Sequence, residues 1–163
     1  MTSTSTSATC KDRLQGYLRD HGVCFTLRHH PVAYTAQQVA SVEHISGDQL
    51  AKPVVVQADG RLVMLVLPAS YLVQLSKVGP ALGAVEVHLV HESDLAALFA
   101  DCEIGALPPF GNLYDIDVYV DQTLAEDEFI EFRAGSHTDT LRVAYHDFAR
   151  LVRPTVVDVA LHR

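Results

Sequence analysis

The chain has 163 residues, enough for one domain, and its apolar share of 48% is sufficient to build a real core. Its net charge of −8 argues against broad, unaided nucleic-acid binding, which rests on neutralising phosphates. No apolar run reaches the length needed to span a bilayer; the longest, Leu62 to Ala69, is strand-sized. The charge is uneven. Residues 1–60 carry five Lys/Arg and five Asp/Glu, whereas residues 61–163 carry seven against fifteen and hold the whole deficit. Cys10, Cys24 and Cys102 are odd in number, far apart and form no Cys-x-x-Cys pair, so neither a disulfide framework nor a zinc knuckle is indicated. Cys24 lies in an apolar stretch and reads as a small buried hydrophobe.

In chain order, Met1 to Thr9 is rich in Ser and Thr and lacks the basic and apolar regions of a secretory signal. A disordered leader over 1–9, one domain over 10–163 and a cytoplasmic location are expected. Thr9 is placed to cap a helix carrying Leu14, Tyr17 and Leu18, with Gly22 as its stop. Val23 to Leu27 reads as a short strand ended by His29-His30-Pro31. Thr35 is placed to cap a helix over Ala36 to His44. Lys52 to Ala58 and Leu62 to Leu67 are apolar strands joined at Asp59-Gly60, a strong hairpin signal. Ala69 to Leu82 reads as mainly helical, broken at Gly79-Pro80. Val85 to Val90 is expected as a strand and Glu92 to Phe99 as a helix beginning near His91 or Ser93. Gly105 to Gly111, with Pro108 and Pro109, must be a structured loop. Ile116 to Val120, Phe129 to Arg133 and Thr140 to Ala144 alternate as strands, the last two joined by a turn at Gly135-Ser136-His137. Tyr145 to Val152 is a closing helix, and Val156 to Val159 a short strand. Interspersed helices and locally joined strands favour a single α+β domain over a doubly wound sheet.

Lys52 is the most informative residue. It is one of three lysines, with Lys11 and Lys77, and it stands in front of a β-branched run. An ammonium is almost never left in apolar surroundings without a partner. By composition alone, a lysine that snorkels from a strand end or pairs with an acid outweighs one that binds a phosphate or an oxyanion. Nine histidines show no His-x-x-x-His or Glu-x-x-His pattern on a helix, which disfavours a metal centre. No Gly-x-Ser-x-Gly elbow and no phosphate-cradling glycine loop is present. Glu126-Asp127-Glu128 reads as a solvated turn. The Gly105 to Gly111 loop can aim backbone N–H groups at one point and so stabilise an oxyanion, its prolines excepted.

His30-Pro31-x-x-Tyr34-Thr35-Ala36, the Lys52 strand, Gly105-x-x-x-Pro109 and Ala134-Gly135-Ser136-His137 occur in one order. Together they resemble the YbaK family, also called the prolyl-tRNA synthetase-associated or bacterial editing-insertion domain family, over roughly residues 10–155. The resemblance implies a single mixed α/β domain with a curved or barrel-like, mostly antiparallel sheet flanked by helices. It implies hydrolysis of the ester of misacylated aminoacyl-tRNA carrying a small amino acid, in trans and without a cofactor. Lys52, Gly105 and Pro109 match the catalytic lysine and the two ends of the substrate loop. His30, Thr35, Ala106, Leu107, Pro108, Gly135 and His137 fall in motifs that border the pocket. Such proteins are thought to use the substrate's own ribose hydroxyl, or a substrate thiol, to assist attack, which accounts for the missing triad. The implied partner is the 3′ CCA end of aminoacyl-tRNA, reached through Lys52, Arg28 and a few neighbours, or delivered by a synthetase or elongation factor. The pattern departs at Asp101 to Ala106, where many members have Thr-Gly ahead of the loop and Gly-Gly within it; Ala106 restricts the backbone there. A non-catalytic module binding an aminoacyl- or nucleotide-like ligand or a synthetase partner is the competing class.

Overall fold

The computed structural model describes residues 9–32 and 50–162. The expected helix over 36–44, with Thr35, lies outside them. Helix α1 (Cys10–Asp20) starts where Thr9 Oγ1 accepts from the Asp12 N–H at 3.1 Å, and the chain leaves it through Gly22 at φ +69°. The first strand, β1 (Phe25–His29), begins two residues later than expected. Val23 takes the buried slot and Cys24 faces outward, so the free cysteine is exposed, not buried.

β2 (Ala51–Ala58) and β3 (Arg61–Pro68) form the expected hairpin, with Asp59 at φ +49° and Gly60 at φ +82°. Two left-handed residues in succession match the right-handed twist of the flanking strands. Ala69 to Leu82 is not one broken helix. It contains β4 (Tyr71–Val73) and α2 (Leu75–Leu82). β4 exists because β10 (Ala160–His162) pairs with it from the far end of the chain. Pro80 does not break α2: its fixed φ suits a helix, which ends three residues later at Gly83, φ +68°. β5 (Val87–Leu89) follows. The expected helix over 92–99 is instead a 3-10 turn (Glu92–Leu95) continued by i→i+3 turns, such as Leu98 N–H to Leu95 C=O at 3.0 Å. After a second 3-10 turn (Gly111–Tyr114) come β6 (Asp117–Asp121), α3 (Gln122–Ala125), β7 (Phe129–Arg133), β8 (Asp139–Ala144), α4 (Tyr145–Val152) and β9 (Thr155–Val157).

The strands form a three-stranded sheet, β1-β8-β7, a five-stranded sheet, β5-β2-β3-β6-β9, and the β10-β4 pair. Pairing is antiparallel except for β3-β6 and β6-β9, so the α+β class and mostly antiparallel architecture hold. β3 is buried on both faces. Met64 and Val66 join a core with Leu14, Leu18, Phe110, Phe132 and Phe148, while Val63 and Leu65 join one with Val56, Val78 and Val159. This two-sided burial is why its sequence is continuously apolar. Among the described residues no helix is long and apolar enough to cross a membrane.

Candidate active site

A single parallel bridge, Leu50 to Glu131, joins the start of β2 to β7. Because the two segments run in the same direction, two steps further along each come Lys52 and Arg133. Both then line one pocket of about 160 Å³, together with Leu50, Ala51, Pro53, Gly105 and Leu107. A larger, more open depression of about 520 Å³ lies elsewhere, lined by residues including Asn112, Asp115, Asp117 and Arg153. The smaller pocket is the candidate site, because Lys52 and the Gly105 loop converge there from distant parts of the chain.

Lys52 is half-buried, and its Nζ donates to the Tyr71 carbonyl at 2.5 Å and the Ala69 carbonyl at 3.4 Å. An ammonium donating to carbonyls is a fixed positive charge at the pocket wall, suited to an anion and unsuited to accepting a proton. Gly105 sits at φ +86°, and a Cβ there would come within 3.2 Å of His137 Cε1. Glycine is therefore favoured by conformation, and a side chain there would need His137 to give way. The residues after it, Ala106 to Phe110, are buried. Phe110 packs against Phe132 and Phe148, with ring centroids 5.3 and 5.5 Å apart, and so anchors the loop's far end in the core.

The loop's near end is laced to the β7–β8 turn. Glu103 N–H donates to Gly135 C=O at 2.8 Å, and Gly135 N–H donates to Ala106 C=O at 2.9 Å. Ala106, where a second glycine is common, is fully buried, and its N–H is bonded to Glu103 C=O at 3.1 Å. That donor is therefore directed into the turn. Gly135, at φ +90°, packs against Cys10. His137 lies over Gly105. Its Nδ1 is 3.0 Å from Arg133 Nη1, and its Nε2 is 2.7 Å from Ile104 C=O.

The structure thus brings Lys52, Gly105 and Leu107 onto the pocket wall, with His137, Gly135 and Ala106 directly behind it. Pro108 and Pro109 are buried and do not line the pocket. His30 closes β1, its N–H donating to Thr138 C=O at 2.8 Å and its Nδ1 2.7 Å from Pro31 C=O, and it is not among the residues lining the pocket. Thr35 lies outside the described residues. Sequence reasoning missed Arg133, although alternation in Phe129 to Arg133 puts it on the same strand face as Glu131.

The cysteine pattern also needs correction. Cys10 and Cys102 form a disulfide with their Cα atoms 5.0 Å apart. A sequence separation of 92 hides such a pair from any local spacing rule. Asp101 lies close to both sulfurs, but sulfurs bonded to each other are not free to ligate a metal. Tyr114 donates to Asp101 Oδ1 at 3.0 Å beside the disulfide. Burial, with help from that hydrogen bond, pushes its phenol up to about 12.

The pocket brings two cations, apolar walls and a backbone loop together on an α+β fold, with no hydroxyl or thiol side chain among the described lining residues. The aminoacyl-tRNA editing domain family matches residues 30–151, and the chain belongs to that family. Proline--tRNA ligases of Bacillus mycoides (strain KBAB4) and Bacillus cereus (strain G9842) are 28% and 29% identical over 89 residues. Those residues are 55% of this chain and only 16% of each ligase. The fold is shared with the crystal structure of a candidate trans-editing enzyme for prolyl tRNA synthetase, at TM-score 0.81 and 19% identity, covering 98% of this chain and 99% of that one. It is shared equally with hypothetical protein APE2540, at TM-score 0.82 and 17% identity, covering 91% and 99%.

Proposed function

We propose that this chain is a trans-acting deacylase that hydrolyses the ester of misacylated tRNA carrying a small amino acid. The observation that carries the reading is the convergence of Lys52 and Gly105, on separate elements, at one pocket of about 160 Å³. Lys52 anchors the terminal phosphate or ribose of the 3′ CCA end, and the pocket's size admits only a small acyl group. Water adds to the acyl carbon, the ester carbonyl becomes an oxyanion, and the bond to the ribose oxygen breaks. A proton passes to that departing oxygen, assisted by the neighbouring ribose hydroxyl, leaving free amino acid and uncharged tRNA. An aminoacyl ester is already activated, so positioning and electrostatics supply much of the acceleration. A synthetase that discriminates poorly between small side chains gives such a second site its purpose.

The test is deacylation of tRNAs charged with alanine, cysteine, serine, threonine and proline. Hydrolysis of at least one is expected, falling by about 100-fold or more in Lys52→Ala. Activity on none, or full activity in Lys52→Ala, overturns the reading. Saturable tRNA binding without turnover would instead support the binding module. Net charge of −8 favours a small contact or delivery by a synthetase or elongation factor; equal rates with and without those proteins at low salt would count against delivery.

A further inference from the structure

We propose that Arg133 is the positioning residue of the substrate loop, holding the Gly105 carbonyl and the His137 ring in one fixed arrangement. The proposal rests on the deacylase reading for its kinetic consequence, but not for its geometry. Arg133 is the last residue of β7, placed in register opposite Thr140 and only 7% exposed. Its Nη1 donates to Gly105 C=O at 2.6 Å and to His137 Nδ1 at 3.0 Å. A guanidinium only donates, so Nδ1 of His137 must be the accepting, unprotonated nitrogen. The ring proton is then on Nε2, which donates to Ile104 C=O at 2.7 Å. One arginine thereby sets the tautomer of a histidine whose other nitrogen holds the loop.

The clamp has two halves. Arg133 and His137 grip the carbonyls of Gly105 and Ile104 through side chains. Gly135 grips Glu103 and Ala106 through the backbone, and the His137 N–H adds a bond to Glu103 Oε1 at 3.2 Å. All four residues 103–106 are thus tied to one turn. A Cβ at Gly105 would lie 3.2 Å from His137 Cε1, so glycine is what lets the ring sit this close over the loop. The tying of residues 103–106 to that turn accounts for the alanine at 106. Freedom that a second glycine would supply has no use in a loop already held at every residue. Arg133 lines the pocket beside Lys52, so displacing it moves the wall against which an ester must sit. His137 is consequently a strut of the loop and not a proton acceptor toward the pocket.

The decisive variants are Arg133→Met, which keeps length and loses every donor, and Arg133→Lys, which keeps the charge without the planar fork. Nitrogen NMR of the wild-type imidazole should show His137 as the Nε2–H tautomer, mixed in Arg133→Met. Amide exchange at residues 103–106 should quicken in both variants. Deacylation should lose about 100-fold in kcat, with KM changed far less, because the loss is of alignment and not of uniform binding. If Arg133→Met does not fold, Arg133→Lys carries the test. An Nδ1–H tautomer in the wild type, or wild-type exchange and kcat in folded Arg133→Lys, overturns the proposal. If the wild type hydrolyses no charged tRNA, the deacylase reading fails, while the tautomer and exchange data still decide on the clamp.

Discussion

Reducing the Cys10–Cys102 bond should cost this domain much of its stability. The bond ties the first residue of α1 to the segment entering the substrate loop, beside a hydrogen bond from Cys10 N–H to Asp101 C=O at 2.9 Å. It closes a loop whose ends are 92 residues apart. Loop-closure entropy for such a span corresponds to about 4.6 kcal/mol at room temperature in the chain-entropy account, and removal of native disulfides typically costs about 2–5 kcal/mol. For a domain of this size each kcal/mol shifts Tm by about 2–4 °C, so reduction should lower Tm by roughly 4–20 °C. Cys102 is only half-buried, so a small dithiol can reach the bond while Cys10 stays covered. The assay is a thermal melt with and without reductant, paired with thiol titration in denaturant. Unreduced protein should titrate one thiol of its three cysteines, the exposed Cys24. Cys10→Ser and Cys102→Ser should each melt like the reduced protein. Three titrating thiols in unreduced protein, or superimposable melts, would refute the reasoning.

Gly135→Ala should destabilise the fold by about 2–5 kcal/mol, because a Cβ at φ +90° would lie 2.5 Å from Cys10 Cβ and Sγ, combining backbone strain with overpacking; denaturant melts measure it. Stability should fall as pH rises from 10 to about 12, since the unfolded chain ionises its tyrosine first while folded Tyr114 holds its proton to about 12. In a pH titration by tyrosinate absorbance, folded protein should show a tyrosine that ionises near pH 12 and is absent in Tyr114→Phe. Binding of an uncharged tRNA should weaken with salt at a shallow logarithmic slope of about −1.4, the value for two phosphates on single-stranded nucleic acid; a much steeper slope would reveal a contact beyond Lys52 and Arg28.

What was legible in the sequence was local. The Asp59-Gly60 hairpin, the alternation of Phe129 to Arg133 and the amphipathic Tyr145 to Val152 each state their conformation within a few residues, and the structure has them at or within one residue of those bounds. What was hidden depends on partners far along the chain. Tyr71 to Val73 is a strand only because Ala160 to His162 lies beside it. Cys10 meets Cys102 only after α1 docks on the loop. The site divides the same way. Lys52 stands out because a cation before an apolar strand is costly without a partner. Arg133 is just as unusual, a buried arginine at the end of an apolar strand, yet alternation lets such a residue pass as the solvent face of a half-exposed strand. Its significance comes from the parallel Leu50–Glu131 bridge, which no local pattern encodes.

That bridge also reconciles an acidic chain with the anionic substrate proposed for it. Net charge acts at long range and governs how often a polyanion arrives, whereas a pocket acts at contact. A surplus of eight negative charges would repel the body of a tRNA, while Lys52 and Arg133, which line one small apolar-walled opening, place positive charge where its single-stranded end is proposed to sit. On the deacylase proposal, an opening of about 160 Å³ would hold the ester and a small side chain, so discrimination would fall on the acyl group. On that proposal the rest of the tRNA need not touch the protein, as suits a chain of net charge −8.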